Sequence, residues 1–499
     1  MKVSRMEDLK WDEDRLYQLV QEKLGDYLFL VVSNREPYIH SMSGKEIICN
    51  RPVSGLTEAL DPVMRASKGT WVAYGSGDAD RTVVDSSNRV VVPLEKPEYT
   101  LRRVWLTDDE VAGFYLGFSN EGLWPLCHVA FVSPTYRETD WDTYKRVNRI
   151  FAEAVLQEVA GRKAMVLVQD YHFALLSRLI KEQRPDLTVG QFWHIPWPSH
   201  EIFRTCPWQE EILDGLLGND LLGFHTQSYC HNLLATVEHT LKANVDHNRS
   251  TLTYRGKTTL VQPFPISVDF DRLSQEAGNE AVEREMESLR HEFDLAGKYV
   301  GVGMDRMDYT KGILERLQAL DKFFENFPDY RGKVVFIQAG MPSRTQIDSY
   351  QKSNERIDNL ASSINSKYGN ESWKPLVMMT RQLTLVTLVA LRRLANFCVV
   401  SSVHDGMNLV AKEYVSSRID VDGVLILSQF AGAVDEMPDA LLINPYAITE
   451  FANQIKKAVE MPEMERRRRM KTMRETVSNH NIYWWGASIV SNLISIARV

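Results

Sequence analysis

The sequence predicts an α/β protein of two mostly parallel sheets with helices on both faces. Short apolar runs (LFLVV at 28–32, MVLV at 165–168, YVGVG at 299–303, NFCVV at 396–400) alternate with segments of helical period, and that alternation is the mark of parallel strands joined by crossover helices. The 499 residues exceed what one core supports. A proline-bounded turn, PFPISVDF, interrupts the pattern near 263–270 and divides the chain into 1–268 and 269–481, with an apolar terminal helix at 482–499. The two sheets, meeting near residue 268, are expected to face one another across a cleft.

Composition narrows the function classes. The chain is 44% hydrophobic and 25% charged, as in ordinary globular proteins. No run approaches the ~18 apolar residues of a membrane span, and the charged N-terminal stretch lacks the apolar centre of a secretory signal. A cytoplasmic protein without membrane partners is expected. Cys49, Cys127, Cys206, Cys230 and Cys398 are scattered, odd in number and never in a CxxC pair, which argues against disulfides and a thiolate metal site. A formal net charge of -8 argues against nucleic acid. Phosphorylated small molecules need only a local basic pocket.

In chain order, residues 1–26 read as an outer amphipathic helix, with Met6, Leu9, Leu16 and Val20 at loosely helical spacing. The Leu28–Val32 strand runs into Ser33-Asn34-Arg35, placing an arginine at the C-terminal end of a strand, where open α/β sheets hold ligands; surface residue or anion clamp, that edge favours the clamp. Residues 38–50 form a hairpin-like excursion, and Gly55 starts a helix. Short strands follow at 71–73, 89–92 and 102–105. Phe114–His128 is dense in aromatics but without clean periodicity, and reads as irregular backbone that either shapes a pocket or forms a satellite core. A helix is expected over 144–159. The next strands end at Asp170 and His172, then at His194, then near His225. Beyond the boundary come a charged helix over 271–295, a strand ending at Asp305-Arg306 with Lys311 five residues on, a strand leading to Arg344, and further strands at 376–378, 396–400 and 424–427. The basic run Arg466–Arg469 reads as solvated surface.

The last set of residues gathers at Ser401–Ser417, a strand, an Asp405-Gly406 turn and a helix. The free N-H groups and positive dipole of such a helix end suit a phosphate or pyrophosphate. Asp405 stands at the mouth, Asn408 in the first turn and Glu413 two turns in; Asp405 as a mere cap and Glu413 facing solvent explain this stretch alone equally well. Collected, the strand-edge residues are Arg35, Asp170, His194, Arg306, Lys311, Arg344, Asp405 and Glu413. No GxxxxGK[ST], no GxGxxG after the first strand and no HExxH is present. Enough positive charge for two phosphorylated ligands, with carboxylates suited to sugar hydroxyls, points to glycosyl transfer from a nucleoside diphosphate.

At these residues the chain resembles the trehalose-6-phosphate synthase family of retaining nucleotide-sugar glycosyltransferases, from about Leu28 to the end. The resemblance is carried by VVSNR (31–35), GFSNEGLWPL (117–126), QDYH (169–172), HIPWPSHEIFR (194–204), GLLGNDLLGFHT (215–226), DRMDYTKG (305–312), DGMNLVAKEY (405–414) and FAGA (430–433). It implies the GT-B fold: two Rossmann-like domains, acceptor-binding then nucleotide-sugar-binding, with the terminal helix crossing back to the first. It implies that Arg35, Tyr115, Trp124 and Arg344 hold the phosphate of glucose 6-phosphate, and that Asp170 and His194 contact acceptor and donor sugars. It places Gly55 in the donor loop, Arg306 and Lys311 on the donor pyrophosphate, Asp405 on glucose hydroxyls, the backbone of Gly406, Met407, Asn408, Leu409 and Val410 around the pyrophosphate, and Glu413 on the ribose. No metal and no cofactor are expected, since the nucleoside-diphosphate glucose, UDP-glucose first, is a substrate. Three positions depart from the family: Ser54-Gly55 replaces a Gly-Gly pair, His404 an arginine and Gln169 a histidine. Alternatives are a glucosylglycerol-phosphate synthase, whose acceptor glycerol 3-phosphate also presents a phosphate, and a silent sugar-phosphate sensor, which would have lost clamp or transfer residues. With no phosphatase region before Val499, dephosphorylation is expected to fall to a separate protein; homo-oligomerisation is left open.

Overall fold

Apolar runs of four to eight residues, too short for helices and bounded by polar turns, become the strands of a computed structural model that describes residues 10–52, 55–380 and 383–498. The chain folds as two units, one of residues 1–266 with 482–499 and one of 267–481.

The described strands of the first unit are β1 (Leu28–Ser33), β2 (Ile39–Ser43), β3 (Glu46–Asn50), β4 (Thr70–Tyr74), β5 (Arg89–Val92), β6 (Tyr99–Val104), β7 (Ala164–Gln169), β8 (Thr188–Phe192), β9 (Leu221–Phe224), β10 (Asn244–Asp246), β11 (Thr251–Tyr254) and β12 (Lys257–Pro263). Ten of them form one sheet in the order β10-β11-β12-β9-β8-β7-β1-β4-β6-β5, while β2 and β3 form a separate hairpin. The central pairings from β12 through β6 are parallel, and the outer ones antiparallel. β1 has β7 on one side and β4 on the other. The connections therefore reverse direction between β1 and β7, which opens a crevice at their C-terminal ends.

The second unit repeats the plan with an all-parallel sheet. Its strands are β13 (Tyr299–Arg306), β14 (Val334–Met341), β15 (Leu376–Met379), β16 (Phe397–Val400), β17 (Val424–Ser428) and β18 (Leu441–Ile443), in the order β15-β14-β13-β16-β17-β18. Its reversal lies between β13 and β16. β16 and β17 are buried throughout, as strands covered on both faces must be. No described helix is long and apolar enough to cross a membrane.

Several elements differ from expectation. Phe114–His128 is not irregular: Ala112–Leu123 is wound as a π-helix and Trp124–His128 continues as an α-helix. Bonding five residues back widens the period, so a 3.6-residue template misses it. The expected helix over 271–295 is two, Phe270–Ala277 and Glu280–Glu292, separated at Gly278-Asn279. The one expected at 144 begins at Glu138. The helix after Asp405 starts at Leu409, with Asn408 as its cap in a left-handed conformation, φ 68°. In the N-terminal segment Asp12 caps a helix over Glu13–Leu24, while Met6 and Leu9 lie outside the described residues, as does Ser54 of the Ser54-Gly55 pair. Ile482–Ala497 packs in the first unit, where buried Trp485 meets Phe192 edge-on, ring centroids 5.3 Å apart.

Candidate functional site

In the second unit the reversal between β13 and β16 collects most of the expected donor residues. β13 ends at Arg306 and the following turn carries Asp308 and Lys311; β16 leads through Ser401-Ser402 to Asp405. Lys311 Nζ donates to Asp405 Oδ2 at 2.5 Å, and the same oxygen accepts from Ser402 Oγ and Asn408 Nδ2, each at 3.1 Å. Asp405 is thus tied to its own turn and to the turn after β13 rather than capping the helix, and no side chain caps Leu409–Ser417. The backbone from Gly406 to Val410 turns into that helix, leaving its first N-H groups, the donors an anion uses.

The turn after β13 depends on Gly312. It sits at φ 62°, and a Cβ there would come within 2.0 Å of the Ser401 carbonyl oxygen. Beneath it, fully buried Arg316 joins three strands, donating to Asp305 Oδ2 at 2.7 Å, Gln338 Oε1 at 2.6 Å and Ser401 Oγ at 3.0 Å.

Arg344 follows β14. Its Nη1 lies 3.5 Å from Asp308 Oδ2 and donates to the Tyr350 hydroxyl, while Arg306 Nη2 lies 4.0 Å from the same Asp308 oxygen. Burial pushes the Asp308 carboxyl up, but the charges of Arg344, Arg306 and Lys311 outweigh it and hold the group below the usual carboxylate range. Glu413 accepts from Arg392 Nη2.

In the first unit, Arg35 and Asp170 stand at the C-terminal ends of β1 and β7, on either side of that sheet's reversal. Arg35 is exposed, and its backbone is fixed: its carbonyl accepts from Ser33 Oγ at 2.6 Å, and Ser33 Oγ accepts from Trp71 Nε1 at 2.8 Å. The next residue, Glu36, is buried with Arg103, Asp80 and His40. Arg103 donates from Nε to Glu36 at 2.9 Å and from Nη2 to Asp80 at 2.7 Å. Burial first, then the neighbouring Asp80, raises the Glu36 carboxyl to about 7, with Arg103 opposing. Asp80 is lowered to about 2, because hydrogen bonds from His40 and Glu36 overcome its own burial.

Asp170 has φ 71° and ψ 176°, a conformation costly for any residue with a side chain. It is held there by its N-H to Phe192 O at 2.7 Å and by its Oδ1, which accepts from the backbone N-H groups of Tyr171 at 3.0 Å and His194 at 3.1 Å. His194 Nε2 pairs with Gln169 Oε1 at 2.9 Å, and His225 Nε2 pairs with the His194 carbonyl at 2.9 Å. Loss of water around the His194 ring, then the imidazoles of His225 and His172, push its pKa well below the histidine range, so the ring is neutral near pH 7. Tyr115, on the π-helix, stacks on His172 with centroids 5.7 Å apart, and Trp124 is buried with its ring 4.0 Å from that of His128. Gly55 opens the helix Gly55–Ser67.

An open cavity of about 390 Å³ in the first unit, lined by Lys145, Arg149, Arg178, Glu210, Asp214 and Arg255 among others, contains none of these residues. Tyr254 and Arg255, in its lining, belong to the turn into β12. Among the described residues no group of three or more His, Cys, Asp or Glu side chains could hold a metal.

The model of glycosyltransferase family 20 matches residues 28–495. The chain belongs to that family. Similar family members include the trehalose-6-phosphate synthase of Mycobacterium sp. strain KMS, 37% identical over 94% of this chain and 95% of the relative. A bifunctional trehalose-6-phosphate synthase/phosphatase of Thermoproteus tenax is also 37% identical, over 93% of this chain and 63% of the longer relative. Among solved structures, an Escherichia coli trehalose-6-phosphate protein bound with UDP-2-fluoro glucose superposes with a TM-score of 0.84 at 28% identity, covering 93% of this chain and 98% of the other. A UDP-forming alpha,alpha-trehalose-phosphate synthase from Burkholderia vietnamiensis gives 0.85 at 28% identity, covering 94% and 97%. The family and its two Rossmann-like domains are those anticipated from the motifs.

Within this family 20 chain the structure brings Lys311, Asp405 and Asn408 together in one unit, and Asp170 and His194 in the other. Sequence reasoning missed Asp308, Arg316 and Arg392, the partners of the residues it named. Asp308 lay inside the quoted DRMDYTKG motif; Arg392 carried no signal, since an arginine in a helix reads as surface.

Proposed function

We propose that this chain is a retaining glucosyltransferase that moves glucose from UDP-glucose to glucose 6-phosphate, giving trehalose 6-phosphate. The observation that carries the reading is the Lys311–Asp405 pair beside an uncapped helix N-terminus at the sheet reversal. It sets a cation and free N-H groups for a diphosphate next to a carboxylate for sugar hydroxyls. Relatives with the printed activity, over nearly the whole chain, support it.

In this reading Arg306, Lys311 and the Gly406–Val410 backbone take the donor diphosphate, and Asp405, released from Lys311 by the incoming phosphate, takes glucose hydroxyls. Glu413 takes the ribose, and Gly55 lies in the donor loop. Arg35, Tyr115, Trp124 and Arg344 take the acceptor phosphate, while Asp170 and His194 orient the sugars. Charge grows on the leaving phosphate oxygens during transfer, so cations already in place act most strongly at that moment. A double displacement needs a free carboxylate on the face of the sugar opposite the leaving group; Asp170, Asp405 and Glu413 are engaged otherwise. Transfer therefore proceeds on the front face, the departing phosphate oxygen taking the acceptor's proton, and neutral His194 orients rather than acts as an obligatory base.

Incubation with UDP-, GDP- and ADP-glucose against glucose 6-phosphate and glycerol 3-phosphate tests donor and acceptor together. Trehalose 6-phosphate from UDP-glucose is expected; product with glycerol 3-phosphate alone would overturn the reading.

A further inference from the structure

We infer that Arg392 is the residue that positions Glu413 for the nucleoside ribose. The inference rests on the reading of Glu413 given above and adds how its carboxylate is oriented. Arg392 lies on the helix Leu385–Leu394, whereas Glu413 lies on the helix Leu409–Ser417. Between them runs a single charge-assisted bond, Arg392 Nη2 donating to Glu413 Oε2.

Burial makes the pair unequal. The guanidinium side chain is 5% exposed and the carboxylate side chain 27%. The cation is committed to the interior, and its one ion pair among the described residues is with Glu413. A buried guanidinium does not give up its carboxylate readily, because the charge left behind would have neither water nor partner. The carboxylate thus has one oxygen fixed from within and remains open to solvent on its other side. Arg392 is itself anchored, its carbonyl accepting from Arg418 Nη1 at 3.3 Å. The Glu413 rotamer is therefore set before a ligand arrives, and the cost of ordering it on binding is removed.

The second consequence is electrostatic. Glu413 sits in the second turn of the helix whose first N-H groups face the donor diphosphate in this reading. A bare carboxylate there would repel the ligand it has to hold. Arg392 cancels that charge from the protein side and, being buried, does not compete for the phosphates. It is a positioning residue, acting through Glu413 on the discrimination between a ribose and a deoxyribose.

The test measures kcat and KM with UDP-glucose and with its 2′-deoxy- and 3′-deoxyribose analogues for the wild-type chain, R392Q, R392K and E413Q. The wild type is expected to prefer the ribose donor by about 10- to 100-fold in kcat/KM, the worth of one hydrogen bond to a charged group. In R392Q the donor KM should rise about tenfold, kcat and the acceptor KM should hold within about twofold, and the preference should fall to that of E413Q. R392K keeps the charge but not the planar fork, and should retain only part of the preference; it supplies the same ratio should R392Q fail to fold. A wild type indifferent to the ribose hydroxyls would overturn the reading of Glu413. A wild-type preference kept intact in both arginine variants, with thermal stability alone changed, would leave that reading standing and overturn the role of Arg392.

Discussion

Arg306 and Arg344 share one carboxylate, yet exposure separates their roles. The Arg344 side chain is 6% exposed and 3.5 Å from fully buried Asp308, whereas that of Arg306 is 39% exposed and 4.0 Å away. Removing Arg344 strips a buried carboxylate of its nearest cation, a change that costs stability as well as ligand affinity. Removing Arg306 leaves Asp308 its closer partner, and a solvent-exposed guanidinium 4.0 Å away contributes little to folding. An acceptor phosphate is fully charged before reaction, but the donor's leaving oxygens gain charge only during it. Arg344→Ala should therefore raise the acceptor KM about tenfold and lower the melting temperature. Arg306→Ala should leave melting nearly unchanged and lower kcat about 100-fold, the scale of one lost oxyanion donor. Saturation kinetics on both variants decide it: equal loss of kcat would dissolve the division. The same reasoning assigns leaving-group stabilisation to side chains and a helix end, so full activity is expected in excess chelator, and loss rescued by added Mg²⁺ would contradict it.

Turns and buried clusters set these side chains in place, and their contributions can be read one at a time. Gly312→Ala forces a Cβ to 2.0 Å from the Ser401 backbone oxygen at a left-handed φ. Ser401 begins the segment that carries Asp405, so the variant should shift the Lys311–Asp405 pair and raise the donor KM more than the acceptor KM; equal changes in both would argue for a merely structural glycine. The Glu36 cluster predicts a pH effect. Unfolded Glu36 ionises near 4.5 and folded Glu36 near 7, so the folded state binds the extra proton between these values. Stability must then fall as pH rises through that window, by at most about 1.4 kcal/mol per unit. Asp80, lowered to about 2, contributes stability that is lost only below its ordinary 3.8, outside the window. Melting curves of wild type and Glu36→Gln, the isostere of the protonated carboxyl, should diverge from pH 4.5 to 8 as the wild type loses stability relative to the variant, and parallel curves would refute the assignment. Such clusters mark where reading the sequence stops short. Strand ends at Arg35, Asp170, Arg306 and Asp405 were legible because apolar runs and polar edges are local patterns. The π-helix over Ala112–Leu123 was not, since its period matches neither standard template, and the left-handed Asn408 reads as helical because Met407, Val410 and Tyr414 carry the apolar helical spacing across it, although asparagine is itself a favoured cap. Arg103, Arg316 and Arg392 were invisible for a further reason: a buried arginine is defined by a carboxylate 11 to 67 residues away, and pairing over such distances exists only in the fold.

At the scale of the whole chain, the path leaves the first unit after residue 266 and returns to it at 482. The returning helix is part of that unit's packing. Trp485 is fully buried and meets the Phe192 ring edge-on at 5.3 Å; Phe192, the last residue of β8, in turn meets the His194 ring at 4.6 Å. Near the helix's far end, the Ala497 carbonyl accepts from the Tyr27 hydroxyl at 3.3 Å, just before β1. The last segment of the sequence therefore braces the strands whose ends carry Arg35 and His194. Trp485→Ala removes a large buried ring and should cost about 3–5 kcal/mol, felt in one unit only. Hydrogen exchange separates the cases. Faster exchange is expected in β1, β7 and β8, with β13, β14 and β16 protected as in the wild type, and a donor KM little changed while the acceptor KM rises. Uniform loss of protection across both sheets would mean that the units unfold as one, and an unchanged β8 would mean that the terminal helix only lies against the first unit without supporting it.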